Sequence, residues 1–188
     1  MKKLLAILVV ALLFEFGGQA VRQVTGFELS PALDSVAFAA EERKRRKARR
    51  VPNISEMTFR RLAQAQELMD LKEYDAALEV LVEMERRSRR YNGNEMGQVY
   101  SMFAFIMFSK EDNARTIRYY EKVLEQGDDI TEGLEHGTMY SLAQLYFVEE
   151  EYQRSLDMMD RWLQKKADFG DDPGPNPRYF MGQVHYAM

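Results

Sequence analysis

Two histidines, His136 and His185, are the only imidazoles in the chain, and they stand 49 residues apart. An imidazole can move a proton near neutral pH or ligate a metal, but a metal site needs several converging donors. No Asp or Glu forms a ligand pattern with either one, so both read as ordinary helical histidines. The run Asp168-Phe169-Gly170-Asp171-Asp172 superficially suggests a calcium loop. It lacks the glycine and the twelfth-position glutamate that shape such a loop, and reads as a turn. Acidic pairs such as Asp128-Asp129 read as solvated charge. No G-x-S-x-G, P-loop or G-x-G-x-x-G motif occurs. The absence of cysteine excludes disulfides, thiolate metal sites, a cysteine nucleophile and a lipidated cysteine anchor. The expectation is a non-enzymatic protein with no catalytic residue, no cofactor and no metal, whose function resides in a surface.

The elements that would build such a surface are helical. Pro52 and the three prolines from Pro173 to Pro177 leave Asn53 to Phe169 free of helix breakers. Met139, Leu142, Ala143 and Tyr146 fall on one helix face, and Tyr152, Ser155, Leu156, Met159 and Trp162 on another. The acidic break Glu149-Glu150-Glu151 lies between them. Small Ala143 and Ser155 sit where the two helices must approach, so the pair reads as a hairpin. Moving 39 residues toward the N-terminus brings Tyr100, Phe103, Ala104 and Met107 into the first-helix register, and Thr116, Tyr120 and Val123 into the second. A further 39 brings in Ala65, Leu68, Ala77, Leu81 and Met84. Forward by 39 from Ala143 stands Gly182, completing a series of small residues at Ala65, Ala104, Ala143 and Gly182.

These slots resemble the W-x-x-L-G-x-x-Y and A-x-x-x-F patterns of the tetratricopeptide repeat (TPR). The resemblance implies an all-α, TPR-type α-solenoid of antiparallel helix hairpins, about three and a half repeats long. The 39-residue period exceeds the usual repeat of about 34 residues, which points to longer connections between units. The array is expected over residues 53–188, with repeats about 53–91, 94–127 and 131–167 and a partial fourth at 176–188. Asn53 or Ser55 would cap the first helix, and Tyr91-Asn92-Gly93-Asn94 would stop the second and cap the third. The fourth unit has one helix, rich in Tyr, Phe and Met with Arg178 its only formal charge. Natural solenoid ends carry polar caps. The expectation is therefore an N-terminal part of a longer array, or an end that packs on a partner.

In TPR arrays the first helix of each unit lines a groove. Carried over by position, that implies Leu62, Gln66 and Met69 in the first unit and Ser101, Phe105 and Phe108 in the second. In the third it implies Tyr140, Gln144 and Phe147, and in the fourth Tyr179, Gln183 and Tyr186. Glutamines can bond an extended peptide backbone and aromatic rings can anchor it. None of the twelve is basic, so a carboxylate clamp for peptide C-termini is not expected.

The N-terminus addresses location. Lys2 and Lys3 precede the apolar run Leu4 to Phe14, eleven residues long. That is signal-peptide length and short of the roughly 20 residues that span a bilayer. Ala37-Phe38-Ala39 offers a cleavage site, with Gly18-Gln19-Ala20 the earlier alternative. Residues 1–39 are read as a signal peptide, which places the mature protein in the periplasm. Residues 40–52 are read as a disordered basic arm, with seven basic residues among the eight from Arg43 to Arg50. The sharper alternative for Arg43–Arg50 is contact with an anionic surface. From Val51 onward 16 Lys and Arg face 25 Asp and Glu, so nucleic acid is not an expected partner.

Three stretches resemble a narrower group: the segment from Tyr91 to Gln126, the one from Met139 to Trp162, and the Arg-rich segment before the RLAQAQ helix. They look like exported bacterial TPR proteins encoded beside TonB–ExbB–ExbD systems, over about Glu41 to Met188. That resemblance implies a periplasmic adaptor that binds a protein segment, in reach of a TonB-system component. Two other readings stay open: a structural module of a larger cell-envelope assembly, and a cytoplasmic basic-armed regulator.

Overall fold

Four helices begin in this chain where a short polar side chain takes one of the first free amides. The computed structural model describes residues 49–168, 170 and 172–188. The predicted signal peptide, its cleavage site, and residues 40–48 of the basic arm lie outside the described residues. So do Phe169 and Asp171 of the acidic turn. Among the described residues all regular structure is helical: α1 (Glu56–Asp70), α2 (Tyr74–Arg86), α3 (Gly93–Ser109), α4 (Asn113–Leu124), α5 (Glu132–Val148), α6 (Tyr152–Asp168) and α7 (Asn176–Ala187). Two single 3-10 turns, Ser88–Arg90 and Gly127–Asp129, link the pairs.

Ser55, Asn92, Asp112 and Thr131 each accept a backbone N–H in the first turn of their helix, at α1, α3, α4 and α5. At α3 the cap is reciprocal. The Asn92 side chain accepts from the Glu95 amide and the Glu95 carboxylate accepts from the Asn92 amide, both at 2.9 Å. The α7 N-cap, Pro175, makes no side-chain cap bond.

The helices pack as sequential antiparallel pairs, α1 with α2, α3 with α4 and α5 with α6, and α7 lies on α6. The turns inside the three pairs share one backbone conformation. Lys72, Glu111 and Glu150 have φ of 61°, 59° and 63°, and they stand 39 residues apart. Each of these turns also returns an amide to the helix just ended: Glu73 to Leu68, Asp112 to Met107 and Glu151 to Tyr146, at 2.8, 2.9 and 2.8 Å. Such left-handed caps satisfy carbonyls that the helix end leaves free.

Small residues set the distance within each pair. Ala65, Ala77, Ala104, Thr116, Ala143 and Ser155 are all fully buried. The Ser155 hydroxyl donates to the Ala143 carbonyl at 2.7 Å, an approach that a larger side chain would block. Gly182 departs from this series. It is exposed, and a Cβ placed there would meet nothing within 4 Å. Among the described residues no second helix covers that face of α7, so the register continues but the packing does not. The core forms two clusters. One lies around Leu81, Met84, Val99 and Phe103, the other around Met139, Leu142, Met159 and Trp162.

An extended strap, Arg49–Ser55, crosses the starts of the first helices. The Ser55 amide donates to Glu95 at 2.8 Å. Asn92 donates to the Asn53 carbonyl and Asn94 to the Pro52 carbonyl, each at 2.9 Å. At the far end Arg49 reaches the third pair. It donates to Glu135 and to the Gly127 carbonyl, both at 2.8 Å, and to Asp128.

Candidate protein-docking face

The twelve residues expected to line a groove divide by environment. Leu62 and Met69 are buried in the first core cluster, at 7% and 6% exposure. That cluster is shared with α2 and α3, on both of which α1 packs. Ser101, Phe105, Phe108, Tyr140, Gln144 and Phe147 are half-buried. Phe105 packs on the first cluster, and Phe108 and Tyr140 on the second. Gln66, Tyr179, Gln183 and Tyr186 are exposed, and Gln66 donates to Asp70 at 2.8 Å.

Rings accumulate where α5, α6 and α7 meet. The Tyr140 ring lies 5.3 Å from Trp162, and Phe147 lies 5.9 Å from Tyr152 and 5.7 Å from Phe180 in an edge-to-face contact. These are favourable aromatic geometries: the first two join α5 to α6 and the third joins α7 to α5. One side of α7 is thus occupied: Val184 is fully buried, and Phe180 and Met181 pack on the second cluster. The other side carries Tyr179, Gln183 and Tyr186 at spacings of four and three. Tyr179 is 71% exposed and Tyr186 95%. Of the twelve, only the α7 trio forms a continuous exposed set.

One polar cluster ties α4, α5 and α6 together. The Tyr146 hydroxyl donates to Glu121 at 2.8 Å and accepts from Arg154 at 2.8 Å, and the Arg154 guanidinium lies 4.1 Å over its ring. Burial and the Glu121 carboxylate push that hydroxyl well above the ordinary phenol value, so it stays protonated. Burial, with Lys166 beside it, pushes the His136 imidazole down, leaving it neutral at pH 7. No group of three or more His, Asp or Glu side chains converges to hold a metal among the described residues.

Two buried carboxylates lie beneath the strap. Burial pushes Glu95 up, but hydrogen bonds from the Ser55 amide, the Thr58 hydroxyl and the Asn92 amide outweigh it and hold the group below its ordinary value. Burial likewise pushes Glu135 up, and Lys165 at 2.9 Å together with Arg49 outweighs it. The sequence signal for the first was the N-x-x-E pattern of a capping box at Asn92 and Glu95. Arg49 belongs to the run read as a free basic arm, yet its guanidinium is held inside the fold, whereas Arg50 is exposed.

No protein-family model matches the chain, and no curated protein matches its sequence.

Proposed function

We propose that this chain is a non-enzymatic scaffold of the TPR type whose first-helix face docks a protein segment, with α7 as the main contact. The observation that carries this reading is the exposed Tyr179–Gln183–Tyr186 set beside Met188, which is 64% exposed. Tyrosine supplies large, rigid contact area with a polar tip, and is enriched where binding energy concentrates. The 39-residue recurrence of the small residues and of the left-handed turns supports the repeat assignment. Export to the periplasm and service to a TonB system are proposed on the N-terminal sequence pattern and the sequence resemblance.

Site-specific photo-crosslinking in cells tests the docking face. A crosslinker at Gln183 is expected to capture a discrete protein adduct. One at Arg161, exposed on α6, is expected to capture none. Adducts that are equal at the two positions, or that persist in a Tyr179→Ser/Tyr186→Ser variant, overturn the reading.

One observation favours a second reading, a structural module of a larger assembly. Gly182 stands bare in the slot that Ala65, Ala104 and Ala143 fill beneath a second helix. An adduct from Gln183 whose partner is a constitutive helical subunit, present at equal stoichiometry, supports that alternative.

A further inference from the structure

Stacked helical hairpins ordinarily touch only their neighbours, so each junction flexes by itself. The strap breaks that pattern. Arg49 precedes the first pair, yet its guanidinium is seated on the third, 86 residues away in sequence. On the way, the Pro52 and Asn53 carbonyls are held by Asn94 and Asn92 of the second pair. The seat is built for a guanidinium: two carboxylates and one carbonyl take its fork, and the Glu135 side chain is only 9% exposed. An arginine can engage several acceptors in fixed geometry, which a lysine ammonium cannot match.

We infer that Arg49–Ser55 is a strap that fixes the angle between the first and third hairpins, with Glu135 as its catch. Release at the catch frees the first pair to swing relative to the third while every hairpin stays folded. The curvature of the first-helix face is then set by one side-chain contact and not only by the junctions between neighbours. This inference is independent of what docks on that face.

The chain has no cysteine, so two labels can be placed cleanly. Glu67 on α1 and Val148 at the end of α5 are exposed and lie toward the edge opposite the strap. They sit roughly 20 Å along the helix axes from their starts, so a small rotation at the catch is magnified there. Spin labels at Glu67→Cys and Val148→Cys are read by pulsed electron resonance in the full chain. A single narrow distance population is expected in the parent. Arg49→Ala is expected to lose it in favour of a broad, shifted one, with helical circular dichroism unchanged. Arg50→Ala and Lys165→Met are expected to keep the narrow population. The second removes the other cation on Glu135 and leaves Arg49 in place.

A narrow population in Arg49→Ala overturns the inference. Equal broadening in either control overturns it too, since it then reflects charge loss or general loosening around Glu135. Should Arg49→Ala fold poorly, Glu135→Gln is near-isosteric and is read against the same two outcomes.

Discussion

Positions 143 and 182 stand 39 residues apart, on α5 and α7, and the two surroundings are opposite. Ala143 is fully buried, with the Ser155 hydroxyl on its carbonyl. Gly182 is exposed with nothing near it. The third pair is closed by a second helix, whereas among the described residues α7 is held on one side only, through its own buried Val184, the Phe147–Phe180 contact and its packing on α6. The difference teaches that the small residue is a spacer. Its size matters only where another helix presses on it, so one sequence feature is critical in the interior and free at α7.

The strongest challenge to this contrast is a matched pair of enlargements. Ala143→Leu is expected to cost about 3 kcal/mol through overpacking. Gly182→Leu is expected to gain roughly 0.5 kcal/mol by replacing glycine inside a helix. Urea denaturation checks both, and an equal cost at the two positions would mean that α7 is covered in solution.

A second test contrasts the reciprocally capped start of α3 with α7, whose N-cap makes no side-chain bond. Both Glu95 oxygens accept amides, from Ser55 and Asn92. Glu95→Gln turns an NH2 toward one of these donors and is expected to cost about 2 kcal/mol. The pH dependence is signed. The folded-state value of Glu95 lies below its ordinary 4.5, so its contribution is complete above the unfolded value and is lost as pH falls through the folded one. The gap between wild type and Glu95→Gln should therefore be widest near neutrality and shrink in acid.

Glycines sharpen the contrast further. A methyl at Gly97 would sit 2.5 Å from Cγ2 of the fully buried Ile130, while one at Gly137 meets nothing within 4 Å. Gly97→Ala is expected to lose about 1–2 kcal/mol and Gly137→Ala to gain about 0.5–1 kcal/mol, both read by thermal melts. The smallest effect is at the turns. Glu150 holds a positive φ with a side chain present, whereas the connection into α7 places Gly174 in that region. Glu150→Gly should gain about 0.5 kcal/mol, and Gly174→Ala should lose about as much.

Much of this architecture was legible in the sequence because it is local and periodic. The Met139–Tyr146 and Tyr152–Trp162 faces, the Asn92 cap and the Glu149-Glu150-Glu151 break each announce themselves within a few residues. The inward-facing positions of α1 were not legible. Leu62 and Met69 look like groove residues by register, and their burial depends on how α1 packs into the first cluster. Nor was the strap. Asn94 and Arg49 find their partners 42 and 86 residues away, through side-chain bonds that leave no local pattern.

The reach of Arg49 also bears on how the chain is born. At about 5–20 residues per second, the acceptor at Glu135 is synthesised on the order of ten seconds after its donor. Each hairpin can close as it emerges, but the strap must wait until the third has begun. The strap, made before every helix of the array, is thus among the last pieces to settle, and its arginine stays unseated while 86 further residues are added.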